Sequence, residues 1–231
     1  VNSAIELSDA GEKLAQLLAE AGLESLQDKQ NKRFIEYLNL ILRWNRKVNL
    51  TAIRDADGIL SRHFVESIAA AQAIPAGIQS LLDFGSGAGL PGIPIAICRP
   101  EIAVTLAESQ GKKAAFLREA VRTLGLNATV HSARAETLTT QFDCVTLRAV
   151  DHMEAAVRAA AQLVRPGGWL ALLTTHTDLP VLQSAAGANF TWTTPHPVPG
   201  SDQRIVTLGQ AFDLVAGCSV PQTKVDAPRH P

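Results

Sequence analysis

The chain reads as a parallel, doubly wound α/β sheet carrying an antiparallel edge strand and preceded by a small helical region. Three observations lead there. Short apolar runs alternate with amphipathic stretches from residue 80 onward, joined by loops short enough to demand right-handed crossovers. Before residue 75 the only apolar periodicity is helical. Between the two, "LLDFGSGAGLPGIPIAI" (81–97) sets glycines at every second position directly after an apolar run, the strand–loop–helix opening of such sheets.

The elements follow in order. Residues 9–23 show helical spacing and stop at Gly22. Residues 28–44 carry Phe34, Leu38, Ile41 and Leu42 on one stripe, which predicts a stronger amphipathic helix. After the connector "NRKVNLTAIRD" a third helix is expected over 57–73, closed by Pro75 and Gly77. Strands are expected at 80–84, 102–107, 128–131, 142–147 and 168–174, with helices near 91–98, 111–124 and 153–163. "RPGGW" is a turn feeding the fifth strand, and strands near 190–194 and 203–208 close an edge as a hairpin. The expected organisation is a helical region over 1–75, a sheet domain over 76–212 and a disordered tail over 213–231, whose three prolines and lack of periodicity oppose packing.

Composition excludes several classes. Hydrophobic content of 46% and charged content of 19% suit a soluble globular chain, and no apolar run approaches the roughly 18 residues of a membrane span. Cys98, Cys144 and Cys218 fit neither a disulfide framework nor metal-ligand spacing, so no metal is assigned and a reducing, cytoplasmic setting is expected. The net charge of −1 hides an asymmetry. Residues 29–62 hold eight Lys and Arg against three acids, whereas residues 1–28 hold one Lys against six. A local basic segment of this kind contacts phosphates even in a neutral chain.

The glycine loop admits two ligands. Gly87, Gly89 and Gly92 satisfy the dinucleotide spacing, and Glu108 lies about 20 residues on, as that fingerprint asks. That register brings Asp83 toward a pyrophosphate, an unfavourable pairing of like charges. The register starting at Gly85 reads D-x-G-x-G-x-G, and its ligand must tolerate a carboxylate. S-adenosyl-L-methionine does, with an ammonium, a sulfonium and no phosphate, and Glu108 can accept its ribose hydroxyls. Charge favours the methyl donor over a nicotinamide cofactor.

Taken with "ESQGKKAAFLREAVRTLGL", "ARAE", "FDCVTLRAV", "LVRPGGWL", "YLNLILRWNRKVNLTAIRD" and "RHFVESI", the loop resembles the bacterial small-subunit ribosomal RNA guanine-N7 methyltransferases, also called glucose-inhibited division protein B. The likeness covers roughly residues 30–175. It implies a Rossmann-like, class I S-adenosylmethionine-dependent methyltransferase acting on a guanine of the 530 loop of 16S rRNA. Its partner would be that rRNA, the small ribosomal subunit or an assembly intermediate, and a monomer is expected.

The resemblance also implies roles. Asp83 would orient the methionyl end of the cofactor, Gly85 and Leu90 would line it, Gly87 and Gly89 would shape the loop, and Ala135 and Glu136 would hold the adenine. Arg134 and Arg204 stand at positions linked to cofactor or RNA contact, with Arg134 taken into the catalytic set. Arg148, ending the fourth strand, would donate to guanine O6 and leave N7 free for attack. A ring nitrogen has an in-plane lone pair and needs no base, and the Asn/Asp-Pro-Pro-aromatic motif of amine methylation is missing. Cys144, mid-strand and followed by Val145, reads as core rather than nucleophile. Lys32, Arg33, Arg46 and Lys47 are expected on RNA phosphates. His63 is the histidine least expected to be idle. Asn49 and Thr51 are turn or cap residues, or bracket the cofactor mouth. Two departures from the family pattern stand out, Thr174-Thr175 and Gly209-Gln210, where basic residues are usual. A nicotinamide-dependent dehydrogenase and a non-catalytic ribosome-assembly binder are the competing functions.

Overall fold

A computed structural model of the chain describes residues 9–212. The tail expected to be disordered (213–231) lies outside them, as do residues 1–8. The first helices are α1 (Ala10–Glu20) and α2 (Asp28–Asn45). A longer helical stretch follows, running from α3 (Ala56–Gly58) through a π-helical segment (Ile59–Phe64) into α4 (Val65–Ala73). The sheet region then runs β1 (Ser80–Phe84), α5 (Gly92–Cys98), β2 (Ala103–Ala107), α6 (Gly111–Leu124), β3 (Ala128–His131) and β4 (Phe142–Arg148). It continues with α7 (Met153–Gln162), β5 (Val164–Thr175), α8 (Leu179–Ala186), β6 (Phe190–Trp192), β7 (His196–Pro197) and β8 (Arg204–Ala211).

The strands order as β3-β2-β1-β4-β5-β8-β6, with β7 paired to β8. The first five are mutually parallel, while β8 runs antiparallel to β5, β6 and β7. The antiparallel addition is therefore three strands with β8 internal, broader than a single edge strand. β1 and β4 lie side by side although other elements separate them in sequence. That places the topological switch, where ligands bind in such sheets, at their carboxyl ends.

Period-2 alternation sorts the strand side chains onto two faces. Leu81, Val104, Leu106, Cys144, Ala171 and Val206 enter one core cluster, together with α1, α2, the π segment, α4, α5 and α6. Leu82, Phe84, Val145, Leu147, Leu170 and Leu172 enter a second, under α7 and α8. The helices before residue 75 therefore share a core with one face of the sheet. Tyr37 stacks on Phe64 with centroids 5.3 Å apart, and Trp44 meets Phe116 edge-on at 5.7 Å. Outside this core Arg43 pairs with Glu119, which also accepts from Trp44 Nε1 at 3.0 Å.

Several expectations change. α8 was not expected, because "LPVLQSAA" carries a proline and little polar contrast; that proline falls in the first turn, where a helix tolerates it. Pro166 and Gly167 fall inside β5, where Gly167 takes φ +72° and the β4–β5 register shifts. The third helix is capped by Asp55, whose Oδ1 accepts from Gly58 N at 2.7 Å, and not by Thr51. Gly209 lies under Trp192, whose ring carbons would sit 3.0 Å from an added Cβ, so a side chain at this half of the departure from the family pattern requires the ring to shift.

Candidate active site

A cavity of about 960 Å³ opens at the carboxyl ends of β1, β2 and β4. Its wall includes Gly85, Gly87, Leu90, Glu108, Arg134, Ala135, Glu136 and Arg148, eight of the ten residues expected to serve the cofactor or catalysis. Asp83 and Gly89 are the two that do not line it.

Asp83 sits behind the loop at 1% exposure. Its Oδ2 accepts from Gly92 N at 3.2 Å and its Oδ1 accepts from Thr146 Oγ1 at 3.1 Å. Burial pushes its carboxyl up to about 6, partly offset by hydrogen bonds from Ser86 and Thr146. A Cβ on Gly92 would meet that carboxylate at 2.6 Å, so glycine is required where the helix closes on the strand. Asp83 thus holds the start of α5 against β1, and the first N–H of that helix is directed inward, not at the cavity. Gly89, with φ +85°, packs on Ile93.

The loop is tied down from two further sides. Glu108 directly follows β2, and its Oε2 accepts from Gly87 N at 2.9 Å while its Oε1 accepts from Gln110 N at 2.7 Å. Each oxygen retains a lone pair for a ligand hydroxyl. From the opposite side Tyr37 donates to the carbonyl of Ala88 at 2.5 Å. Gly87, at φ +56°, has only the Gly85 carbonyl within 4 Å of where a Cβ would be, so backbone faces open space.

The far wall is electrostatic. Glu66, 2% exposed, accepts through Oε2 from Arg148 Nε at 3.1 Å, from Arg148 Nη2 at 2.7 Å and from Arg204 Nη1 at 2.9 Å. Two cations on one buried carboxylate leave this cluster one positive charge in excess. His63 stands beside it, 2.9 Å from Arg148 Nη2 and 2.7 Å from Thr51 Oγ1. Burial and the nearby arginines lower its pKa to about 3, so the ring is neutral. His63 lies in the π segment and Glu66 in the first turn of α4; the three-residue spacing brings both to Arg148. π segments recur at functional sites.

The expected RNA-contacting residues are more dispersed. Lys32, Arg46 and Lys47 are exposed on and just after α2. Arg33 is half-buried and donates to the Gly125 carbonyl at 3.1 Å. Arg204, expected on RNA, is engaged with Glu66. Asn45, Glu66 and Tyr37 belong to the site but were not singled out in the sequence, since nothing local marks a helix-face asparagine, glutamate or tyrosine. Asn45 accepts from Leu50 N and Thr51 N through Oδ1 and donates to the carbonyls of Thr51 and Ile53, which fixes the turn carrying Thr51. Cys144 is fully buried and its thiol is pushed up to about 12, unsuited to nucleophilic attack.

These features fit S-adenosylmethionine. The cavity falls within the volume range of small-molecule sites. It offers a glycine loop that is open at Gly87, where only backbone comes within 4 Å of an added Cβ, and a carboxylate suited to a diol and not to a pyrophosphate. Among the described residues no cluster of three or more His, Cys, Asp or Glu could hold a metal, and no helix is long and apolar enough to cross a membrane.

Comparison with known proteins agrees. Residues 30–190 match the family described as rRNA small subunit methyltransferase G. A protein of Stenotrophomonas maltophilia named ribosomal RNA small subunit methyltransferase G is 43% identical over 201 residues, covering 84% of this chain and 92% of that one. A protein of the same name from Xanthomonas oryzae is 48% identical over 139 residues, 59% of this chain and 65% of its own. Among solved structures, a SAM-dependent methyltransferase from Aquifex aeolicus superposes with a TM-score of 0.54 at 14% identity, over 67% of this chain and 93% of that one. That likeness speaks to the fold, a class I methyltransferase fold. Neither the dehydrogenase nor the non-catalytic reading finds support in these matches. With most of its length inside the family match and the cavity built by matched residues, the chain belongs to the rRNA small subunit methyltransferase G family.

Proposed function

We propose that this protein transfers the methyl group of S-adenosylmethionine to N7 of a guanine in the 530 loop of 16S rRNA. The observation that carries the reading is one cavity that joins the glycine loop and Glu108 to the Arg148 wall. Bound there, the donor supplies an electrophilic methyl group on a cationic sulfur. Gly85 and Gly87 would line it with main chain, Glu108 would accept from the ribose, and Ala135 and Glu136 would flank the adenine.

Guanine N7 carries a lone pair in the ring plane, so no residue has to remove a proton. Catalysis is positioning: an in-line approach held by the walls, with water kept out. Arg148 has its Nε and Nη2 engaged on Glu66 and His63, which immobilises the guanidinium and leaves Nη1 to donate to guanine O6. Arg134, exposed at the rim, is placed to meet the nucleotide or the cofactor. A cationic donor and a neutral ring nitrogen would require no strong counter-charge from the chain.

Lys32, Arg33, Arg46 and Lys47 supply phosphate contacts along and just after α2, and the target base leaves its stack to enter the cavity. Val181 and Phe212 are the large hydrophobic residues exposed among the described ones, few for an obligate interface, which supports a monomer.

The test is incubation with labelled methyl donor and either free 16S rRNA or small-subunit particles, followed by mapping of the modified base. Label on one guanine N7 of the 530 loop is expected. Label on protein, on DNA, on another base or nowhere overturns the reading.

A further inference from the structure

Arg148, His63 and Thr51 form a line of hydrogen bonds whose direction is set by elementary chemistry. A guanidinium has donors and no acceptor. Arg148 Nη2, 2.9 Å from His63 Nδ1, therefore donates, and Nδ1 carries no proton. In a neutral imidazole the proton then resides on Nε2, which lies 2.7 Å from Thr51 Oγ1 and donates to it. The same oxygen accepts from Ile53 N at 3.2 Å. Both lone pairs of the Thr51 hydroxyl are thereby occupied, and its own O–H proton is the one capacity left. Among the described residues that proton has no acceptor, and Thr51 lines the cavity with Arg148.

Thr51 does not owe this orientation to chance packing. Asn45, 4% exposed, uses both ends of its amide on the backbone around it, as described above. The hydroxyl is consequently a fixed donor at a fixed place. Arg148 Nη1 is a second donor on the same wall, also without a partner among the described residues.

We propose that Thr51 is a specificity-determining residue whose O–H donates to O6 of the target guanine beside Arg148 Nη1, with His63 as the positioning residue that sets its polarity. The proposal rests on the methyltransferase reading above. Beside N7, guanine presents the O6 acceptor, whereas adenine presents the N6 amino group. A fixed donor pairs with the first and opposes the second. His63, held neutral, cannot reverse the line by taking a second proton at physiological pH.

The methyl donor also brings a carboxylate, a stronger acceptor than its ribose oxygens, and the test separates it from O6. Thr51→Val removes the hydroxyl at constant shape, and Thr51→Ser keeps it. S-adenosylhomocysteine binding is measured by calorimetry, guanine methylation by single-turnover rate, and the His63 tautomer by nitrogen-15 NMR. Thr51→Val is expected to slow methylation at least about tenfold, equivalent to about 1.4 kcal/mol. S-adenosylhomocysteine affinity should stay within about twofold of wild type, Thr51→Ser should recover most of the rate, and His63 should be protonated at Nε2 alone.

An unchanged rate in Thr51→Val overturns the proposal. So does a loss of S-adenosylhomocysteine affinity equal to the loss of rate, which assigns the hydroxyl to the donor's carboxylate, and so does a proton on Nδ1. A wild-type protein that methylates no guanine overturns the methyltransferase reading and this proposal together; an active wild type with an equally active Thr51→Val overturns the proposal alone.

Discussion

The phenolic hydroxyl of Tyr37 donates to the carbonyl of Ala88 across 2.5 Å, joining the basic helix α2 to the middle of the glycine loop. The ring is fully buried and stacked on Phe64, so the contact is rigid. Tyr37→Phe keeps the stack and deletes the bond, leaving a loop carbonyl without its donor. We expect S-adenosylhomocysteine affinity to fall about tenfold and stability by about 1–3 kcal/mol. Calorimetric titration and thermal unfolding check this; unchanged affinity would remove Tyr37 from the cofactor site.

Glu66 is the shared counter-ion of Arg148 and Arg204. Glu66→Gln keeps the shape and leaves both guanidiniums beside a neutral amide. Breaking a buried pair from one side costs about 3–5 kcal/mol, and the half-exposed setting of Arg204 keeps the loss toward the lower value. Arg204→Met, which leaves the Arg148 bonds intact, should cost less. Denaturant unfolding of the two variants decides it, and equal losses would mean that Arg204 is as tightly coupled as Arg148.

Asp83 and His63 should oppose each other in the acid stability profile. Asp83 has a folded pKa raised to about 6, so its favourable contribution is complete below the unfolded value near 4 and lost as pH rises through 6. His63 has a folded pKa lowered to about 3, so its contribution is complete above about 6.5 and lost as pH falls from there toward 3. Asp83→Asn should therefore raise stability relative to wild type at pH 7.5 by more than at pH 4. His63→Gln should flatten the loss between pH 6.5 and 4. Melting temperatures across that range provide the check.

Lys47 is exposed just beyond α2 and far in role from the glycine loop. Lys47→Ala should weaken rRNA binding and reduce the slope of log affinity against log salt by about 0.7–0.9, the loss of one phosphate contact. S-adenosylhomocysteine affinity should not change. A loss of cofactor affinity with an unaltered salt slope would contradict the division between helix and loop.

Much of the fold was legible because it rests on local periodicity. The strands β1 to β4 and the helices α2, α5 and α6 fall within a residue or two of where apolar spacing and glycine punctuation put them. α8 was not legible: its apolar residues form no clear stripe, and only the sheet face it covers selects the helix. The position of Gly85, Gly87, Glu108 and the Ala135-Glu136 pair at the cavity was legible through spacing and resemblance. The part played by Asp83 was not. Its charge pointed to the right cofactor, but the side chain faces inward to Gly92 and Thr146, a direction that depends on how closely α5 closes on β1.

By itself the sequence determined the alternating sheet, the backbone-lined loop and a ligand that tolerates carboxylates, since each follows from spacing or charge within a few tens of residues. Only the tertiary structure decided the opposite wall. Glu66 meets Arg148 and Arg204 across 82 and 138 positions, and Tyr37 reaches Ala88 across 51. Such pairs are created when the first helices pack on the same sheet face as α5 and α6. Hydrogen-bond direction along Arg148, His63 and Thr51 exists only once those three side chains are within 3 Å of one another in turn, because a donor has no polarity to impose until it has a partner.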